Sequence, residues 1–547
     1  MTNNINRNNK SSSVAEIILY TIKNRLLLSF AIVSAVVMAI VTSLFPPLIL
    51  GGIIDAMTAG QAVNWRMILA YFGLIVLTGL MEAAREALLT VFGQKITHAL
   101  RSGLMDKFTR LTADCLNKQE PGAVVSRFVG DVDTVEALFT SGIISMFADV
   151  CRIISILAVI WFRNKGLAIV IVVLLPFLFW FTRHVQKNML SAQIANRRAV
   201  SRASGHVPET LHNIRTVHTL GREKYMEQRY DEYISEGYRA MEKTNFYDAI
   251  YSPVILILNA VVIAVVMLFS ASGSPVVLTL FGMSAGTAVA VMNYISQIFS
   301  PVESLGMEIQ TIQSALAGVK RIDEFLAQDE FAKQDTKAPD GPVVRFDNVT
   351  FGYDDKNILN DFSFEVRTGE QVTLSGRTGA GKSTIFKLIL GLYRPDRGSV
   401  TIGGVNSADI PDKAKRRLFG YVEQSFHMVP GTVKDQITLF DESVTMDEVK
   451  KAAELTGLDD AIMGLPDGYD TKCTADIFSQ GQWQLLSIAR AAAAQPKLML
   501  LDEITANLDA DTEKTVLSAL KRVSENRTVI SISHRVNASA GRIITIG

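Results

Sequence analysis

This sequence has few cysteines, no net charge and no cleavable leader pattern. Its three cysteines, Cys115, Cys151 and Cys473, are odd in number and widely spaced, which excludes a disulfide framework and a zinc-binding pattern. Lysine plus arginine and aspartate plus glutamate both total 54 in 547 residues, so the charge balance gives no support for a nucleic-acid partner, and we expect none. The polar start of the chain, rich in Asn and Ser, has no signal-peptide cleavage pattern. The informative feature of the composition is therefore its apolar content.

Long, nearly charge-free apolar runs fill the first half of the chain and account for an apolar content of 48%. Each run is near the length that an α-helix needs to cross a hydrocarbon core of about 30 Å. Six can be counted before residue 320, at 26–54, 67–92, 143–162, 167–181, 252–269 and 276–299. Basic residues concentrate in the tail 1–25 and after the fourth run. Arg163 and Lys165, in the short loop between the third and fourth runs, are the exceptions to this distribution. The sequence predicts a multi-pass protein of the cell membrane with both termini in the cytosol.

Two polar stretches, 94–139 and 183–247, separate the apolar runs and are too long for simple turns. We predict that they are helices extending into the cytosol, with one reversal at Pro121-Gly122 and another around 212–221. After an amphipathic helix at 303–325, the pattern changes to alternating strands and helices. The predicted organisation is a tail at 1–25, a membrane domain at 26–327, a linker at 328–342 and an α/β domain at 343–547.

The segment 376–384 reads Gly-Arg-Thr-Gly-Ala-Gly-Lys-Ser-Thr and matches the P-loop pattern G-x-x-x-x-G-K-[ST]. A short predicted strand precedes it and a predicted helix follows, which is the context that distinguishes a phosphate-binding loop from an ordinary glycine turn. Backbone N–H groups of such a loop cradle phosphates, while Lys382 reaches the β- and γ-phosphates and Ser383 holds Mg²⁺. The candidate nucleotide-binding residues here are Gly376, Arg377, Thr378, Gly379, Ala380, Gly381, Lys382, Ser383 and Thr384.

Two adjacent acids end a later apolar strand, Lys-Leu-Met-Leu-Leu-Asp-Glu at 497–503. With a P-loop upstream, Asp502 is placed to coordinate Mg²⁺ through water, and Glu503 to polarise the attacking water. Another β-rich strand at 528–533 ends beside His534, which could contact the γ-phosphate. The sequence thus predicts catalytic roles for Lys382, Glu503 and His534 and metal contacts for Ser383 and Asp502.

Residues 14–328 resemble the six-helix membrane domain of an ABC exporter half-transporter, and residues 343–547 resemble its nucleotide-binding domain. The resemblance implies an α-helical polytopic membrane domain with long cytosolic extensions, joined to an α/β P-loop ATPase domain that binds ATP and Mg²⁺. It also implies that Tyr353 stacks on adenine and that Gln424 touches Mg²⁺ and the membrane-domain interface. By the same resemblance, 506–509 is the D-loop, Glu503 the catalytic glutamate and His534 the switch histidine.

The signature motif departs from the family pattern, because Leu-Ser-Gly-Gly-Gln is replaced by Phe-Ser-Gln-Gly-Gln at 478–482, followed by Trp483. Ser479, Gly481 and Gln482 remain as candidate nucleotide contacts before an apolar helix whose N-terminus can face a γ-phosphate. In the family each ATP site combines one subunit's P-loop with the other's signature, so a half-transporter implies a dimer. This chain combines the hydrolytic residues Lys382, Asp502, Glu503 and His534 with an altered signature. In this respect it resembles one member of a heterodimeric exporter, and we favour a heterodimer over a homodimer.

Charged residues inside the apolar runs are the only indication of cargo, because they are costly there unless they are paired or face a cavity. Glu82, Arg85 and Glu86 share one helix face in the second run, and Asp149 and Arg152 share one in the third. Internal ion pairing is the leading interpretation, and a polar cavity for a cationic or peptide cargo is the alternative. We expect an ATP-hydrolysing subunit that exports a small molecule, lipid or peptide by alternating access. The rival hypothesis is a non-hydrolysing regulator that uses ATP binding as a signal.

Overall fold

The computed structural model describes residues 13–270, 284–331, 336–353, 356–377, 379–504, 509–532 and 541–546. It divides into two compact units, one made of Met1–Thr109 with Gln119–Gln328 and the other of Arg110–Lys118 with Asp329–Gly547. The first unit is helical, and the second contains all the strands of the described residues. Each unit has its own core, as the separate hydrophobic clusters show.

The first unit is built from long helices that cover most of its length. They are α1 (Val14–Lys23), α2 (Leu26–Thr58), α3 (Trp65–Phe108), α5 (Pro121–Arg163), α6 (Lys165–His212), α7 (Ile214–Leu220), α8 (Glu223–Ser270) and α9 (Ala285–Leu326). Short π-helical turns at Arg127–Asp131 and Leu138–Gly142 interrupt α5. Much of their apolar surface is exposed, as expected of helices whose solvent is lipid.

Four helices among the described residues are long and apolar enough to cross a membrane, by length and composition. They contain the first four predicted spans and run through Leu26–Thr58, Trp65–Phe108, Pro121–Arg163 and Ala168–His212. The fifth predicted span lies within α8. The sixth falls partly on 276–283, outside the described residues, and otherwise forms the beginning of α9.

Close packing joins α2 to α9 near one end of these helices. Gly51 and Gly286 bring the two backbones so near that a Cβ on either would overlap the other's carbonyl group. Asp55 accepts hydrogen bonds from Ser284 Oγ at 2.7 Å and from Gly286 N at 2.8 Å, so it caps the beginning of α9. Small residues at a helix crossing allow this approach in a membrane, where there is no hydrophobic drive between helices.

The other end of α9 is fixed by an ion pair. The guanidinium of Arg321 donates from Nε to both oxygens of the buried Asp131 at 3.0 Å. A bidentate pair of this kind is directional as well as strong, so it fixes the register between α5 and α9.

The first cytosolic reversal lies earlier than the sequence indicated. Helix α3 ends at Phe108, a short helix α4 (Ala113–Asn117) follows, and Pro121 begins α5. Proline is well suited to a first helical turn because the N–H that it lacks would have no partner there. The prediction of a reversal at Pro121-Gly122 was therefore wrong by several residues, whereas the second reversal lies at α7, as predicted.

The second unit contains two sheets. The strands are β1 (Val344–Tyr353), β2 (Lys356–Val366), β3 (Gln371–Gly376), β4 (Arg397–Ile402), β5 (Val405–Asn406), β6 (Phe419–Val422), β7 (Leu498–Asp502), β8 (Thr528–Ile532) and β9 (Arg542–Ile546). An antiparallel sheet has the order β2-β1-β4-β5, and a parallel sheet has the order β6-β7-β8-β3-β9. The carboxyl ends of parallel strands meet at one edge, which is where such sheets bind ligands.

Helices surround the parallel sheet and form a separate helical part. They are α10 (Lys382–Ile389), α11 (Asp412–Leu418), α12 (Val433–Thr438), α13 (Met446–Thr456), α14 (Asp459–Met463), α15 (Gln480–Ala492) and α16 (Ala510–Ser524), with 3₁₀ turns at Ser407–Asp409 and Gly468–Asp470. The segment Arg110–Lys118 packs within this unit: Phe331 N donates to Arg110 O at 2.8 Å, and Asn117 Nδ2 donates to Tyr393 Oη at 3.0 Å.

Candidate functional site

The loop between β3 and α10 has the backbone of a phosphate-binding loop. Gly379 and Gly381 adopt φ values of 86° and 96°, which side chains other than hydrogen rarely allow. Lys382 is buried, and its Nζ donates to Gly376 O at 2.9 Å and to Arg377 O at 3.1 Å. The ammonium therefore lies over the loop, while Ser383 at the beginning of α10 is exposed. The N-terminus of α10 supplies the positive end of its dipole to the same place.

Two acids end β7 beside this loop. Burial and the neighbouring Glu503 raise the pKa of Asp502, and Lys382 acts on the same carboxyl in the opposite direction. Glu503 has a φ of 42°, which is a left-handed backbone conformation. This conformation is unfavourable for residues other than glycine and persists only where the surrounding structure enforces it. Its backbone N donates to Ile532 O at 3.3 Å, which holds it against the end of β8. The structure thus brings Lys382, Asp502 and Glu503 to one edge of the sheet.

Tyr421 on β6 is a site residue that the sequence analysis missed. Its Oη donates to Asp502 Oδ2 at 3.4 Å, and burial together with Asp502 raises the pKa of the phenol, so the tyrosine stays a neutral donor. Its role depends on the strand order, in which β6 is the neighbour of β7. That order follows from tertiary structure and cannot be read from a single sequence.

Gln424 lies two residues beyond β6 and has an exposed side chain. Side chains of α15 hydrogen-bond to the backbone of the segment that contains Gln424. Gln484 Nε2 donates to Gln424 O at 3.2 Å, and the Arg490 guanidinium donates to His427 O at 3.0 Å and to Gln436 O at 2.6 Å. Arg490 also stacks at 4.1 Å over the Phe426 ring. The backbone around Gln424 is thus fixed, which leaves its side chain free to reach a ligand.

The signature segment forms a regular helix beginning. Ser479 caps α15: its Oγ accepts from Gln482 N at 3.3 Å, and Gln482 Oε1 accepts from Ser479 N at 2.8 Å. Gly481 is buried against Thr512, and a Cβ there would overlap the threonine methyl. Ser479 itself is exposed.

The two unusual residues around this signature pack inward. Phe478 is buried and meets Trp483 edge to face at 5.3 Å, and Trp483 in turn packs at 5.0 Å against Phe426. They therefore fill the core between α15 and the segment that contains Gln424. Gln480, which replaces a glycine of the family pattern, is exposed beside Ser479. Burial also raises the pKa of the nearby Cys473 thiol, which keeps it protonated.

Tyr353 ends β1 in an aromatic group. Phe351 and Tyr393 meet its ring edge to face at 5.1 Å and 5.4 Å, and Lys387 Nζ lies 5.3 Å from the ring centre. The Tyr353 hydroxyl is buried with no hydrogen-bond partner among the described residues. Thr378, His534 and the D-loop residues 506–508 lie outside the described residues.

Comparison with known proteins agrees with this arrangement. A family model described as the ABC transporter transmembrane region matches residues 29–302, and one described as ABC transporter matches residues 359–506. The ABC transporter ATP-binding protein exp8 of Streptococcus pneumoniae is 29% identical over 95% of this chain and 88% of its own length. The fatty acid ABC transporter ATP-binding/permease protein of Mycobacterium tuberculosis is 27% identical over 87% and 76%. The structure of a bacterial Atm1-family ABC exporter with ATP bound superimposes with a TM-score of 0.75 at 26% identity and covers 96% of this chain and 94% of that one.

The chain belongs to the ABC transporter family, with an exporter-type membrane domain and an ABC ATPase domain fused in one polypeptide. It is an ATP-driven transporter ATPase, and it is a multi-pass membrane protein whose ATPase domain lies in the cytosol. The predicted resemblance to an ABC exporter is confirmed, and so is the fold class of a helical membrane domain joined to an α/β ABC ATPase domain.

Proposed function

We propose that this chain is one half of an exporter that hydrolyses ATP at composite sites and moves its cargo out of the cytosol by alternating access. The observation that carries the proposal is the convergence of Lys382, Asp502 and Glu503 at one edge of the parallel sheet, with Gln424 held by its backbone after the neighbouring strand. Domain limits of 26–327 and 343–547, joined by a linker at 328–342, are part of the proposal.

Each site residue has a role that follows from its position. The loop 376–384 binds the phosphates, with Lys382 turning from its carbonyl partners to the β- and γ-oxygens. Ser383, Gln424 and Asp502 hold Mg²⁺, which neutralises phosphate charge when it is bound. Glu503 orients and polarises the attacking water, and His534 contacts the γ-phosphate. Tyr353 stacks on the adenine, for which Lys387 has to leave the ring.

The second half of each site comes from a partner. Ser479, Gly481 and Gln482 at the beginning of α15 face the γ-phosphate held by the other subunit, since the exposed Ser479 lies at a helix N-terminus. We favour a different half-transporter as that partner because the sequence around the signature departs from the family pattern while the hydrolytic residues are intact. A second copy of this chain is the alternative.

Cargo and coupling complete the proposal. The cargo is a small molecule, lipid or peptide, consistent with relatives whose names include a fatty acid transporter and a multidrug exporter. Closure of the ATPase domains moves the segments at the two cytosolic reversals. The packing of Arg110–Lys118 with Phe331 and Tyr393 supports this for the first reversal, because that piece of chain between two long helices then moves with the ATPase unit.

Turnover of the full chain in lipid nanodiscs tests the mechanism. Glu503→Gln should lower ATP hydrolysis by about 10²-fold or more, as loss of a general base does, while a fluorescent ATP analogue still binds. Glu525→Gln, which changes an exposed glutamate, is the matched control and should hydrolyse ATP like the wild type. Full turnover by Glu503→Gln would refute the role of Glu503.

If the wild-type chain binds ATP but does not turn it over alone, a missing partner or a regulatory role is indicated. Restored hydrolysis with a partner half-transporter would then support the heterodimer. Continued inactivity with every half-transporter from the same cell would favour the non-hydrolysing regulator.

A further inference from the structure

Three helices of the membrane unit each present a pair of polar side chains at helical spacing. Glu82 and Arg85 lie on α3, Asp149 and Arg152 on α5, and Ser304 and Glu308 on α9. Residues three or four apart share one helix face, so each helix offers its pair together. A hydrogen bond shows that the faces of α9 and α5 meet, because Ser304 Oγ donates to an Asp149 oxygen. The charges of Asp149 and of Arg85 on α3 also act on the Glu308 carboxyl.

Ion pairing within this cluster is incomplete. Arg85 donates from Nη2 to Glu82 Oε1 at 2.6 Å, but its buried Nε has no partner among the described residues, and neither has Nε of Arg152. Glu308 is only 6% exposed, and its Oε2 also lacks a partner within the described part of the chain. A cluster that served only to hold helices together would be expected to satisfy these groups, because an unsatisfied buried charge is costly.

The cluster has more carboxyl groups than guanidinium groups. The carboxyl groups of Glu82, Asp149 and Glu308 outnumber the guanidinium groups of Arg85 and Arg152 by one. Ser304 donates a hydrogen bond to one oxygen of Asp149, and Arg85 forms its ion pair with Glu82. The unsatisfied carboxylate is therefore that of Glu308, the most buried of the three.

We propose that Glu308, supported by Asp149, is a subsite for the positively charged group of an amphipathic organic cation, such as an ammonium or phosphonium compound, on the transport path. A buried carboxylate that has no protein partner in a membrane unit can be paired by a cation from the cargo. An amphipathic cation suits this site because its apolar groups are compatible with the membrane interior. The subsite rests on the proposed export function and specifies its cargo class. A bound cation gives the Glu308 carboxyl group a partner and leaves the Glu82–Arg85 ion pair undisturbed.

Binding of two ions of matched shape and opposite charge tests the subsite. Tetraphenylphosphonium and tetraphenylborate are titrated, without nucleotide, into the full chain in nanodiscs of neutral lipid, with empty nanodiscs subtracted. The wild type should bind the phosphonium cation, and Glu308→Gln should weaken that binding by about tenfold or more while tetraphenylborate binding does not weaken. Glu308→Asp, which keeps the charge, should recover part of the affinity.

Glu86→Gln is the matched control, because Glu86 is an exposed carboxylate beside Arg85 on α3, whereas Glu308 is buried on α9. It should bind the phosphonium cation like the wild type. Thermal unfolding at the same temperature as the wild type, followed by tryptophan fluorescence of the membrane unit, shows that each variant is folded. Should Glu308→Gln fail that check, Asp149→Asn takes its place, with the same expected loss.

Three results would overturn the proposal: no saturable phosphonium binding by the wild type, equal affinity in Glu308→Gln, or an equal loss in Glu86→Gln. Because the titration uses no nucleotide, Glu503→Gln should bind the cation normally. Failure of hydrolysis and failure of the cation subsite are thus observed separately.

Discussion

At the scale of one residue, the buried carboxyl of Asp502 lowers the stability of the ligand-free protein. Burial and the adjacent Glu503 raise the pKa of its carboxyl, so the charged form is disfavoured in the folded, ligand-free protein. At neutral pH the charged form predominates in the unfolded chain, and the difference lowers the free energy of unfolding. A neutral amide at this position should remove that penalty.

We therefore expect Asp502→Asn to raise the stability of the nucleotide-free protein by about 0.5–2 kcal/mol, in the range of substitutions that relieve a functional site, while Mg²⁺-dependent hydrolysis is lost. Thermal unfolding followed by tryptophan fluorescence measures the first effect and phosphate release the second. Asp511→Asn is the control, because Asp511 is almost fully exposed and should change neither. A lower melting temperature for Asp502→Asn would show that its hydrogen bond with Tyr421 outweighs the cost of burial.

Residues that sequence alone could identify are those whose spacing along the chain is itself the signal. The glycines, Lys382 and Ser383 of the P-loop and the acids that end an apolar strand are of this kind. Tyr421 and Arg490 were missed because their importance depends on which strand or segment they meet in space. The inward packing of Phe478 and Trp483 could not be foreseen either, since an aromatic residue beside a signature can equally face a partner.

At the scale of elements, the signature helix α15 is fastened to α16 by the contact of Gly481 with Thr512. Gly481→Ala would force a methyl group onto Thr512 Cγ2, and such overpacking should cost about 1–3 kcal/mol of stability. Thr512→Ser removes that methyl and should recover most of the loss when it is combined with Gly481→Ala. Unfolding of all three variants, treated as a double-mutant cycle, measures the coupling. Additive effects would show that the two residues do not press on one another.

Arg490 makes the second element-scale connection, between α15 and the segment from Gln424 to Gln436. Arg490→Met removes three hydrogen bonds from a charged donor and the contact with Phe426, so it should destabilise the protein by about 2–4 kcal/mol. Chemical unfolding of the full chain measures it. Arg345→Met, at an exposed ion pair, should stay within about 0.5 kcal/mol of the wild type. An equally small effect of Arg490→Met would mean that Phe426 and Trp483 hold the segment by themselves.

Elements with a strong period were predicted well, and their ends less well. The first five apolar runs lie inside observed helices, most of which extend well beyond them, and the acid-ended strand predicted at 497–503 corresponds to β7. The first cytosolic reversal was misplaced because Pro121 was interpreted as a turn, whereas it begins a helix. That Arg110–Lys118 packs within the ATPase unit is a tertiary fact with no local signal in the sequence.

At the scale of the whole molecule, the composite ATP sites that we propose require a second chain. In a head-to-tail dimer each site takes its P-loop from one subunit and its signature from the other. Two copies of this chain would make two such sites, each relying on the Phe478–Gln482 signature. A different partner would leave one site with this P-loop and the partner's signature.

Co-expression of Lys382→Ala and Ser479→Arg, carried on copies with different affinity tags, separates these assemblies. In a homodimer formed from one copy of each variant, one ATP site contains both substitutions and the other contains neither. Tandem purification would therefore recover complexes that hydrolyse ATP. The heterodimer that we propose predicts instead that the two tags do not co-purify and that no activity is regained. Ser479 is exposed, so its substitution affects folding only through the helix cap, at about 1 kcal/mol. Binding of ATP by Ser479→Arg alone is the control for an intact P-loop, and rescued hydrolysis in the mixture would replace the heterodimer with a dimer of identical chains.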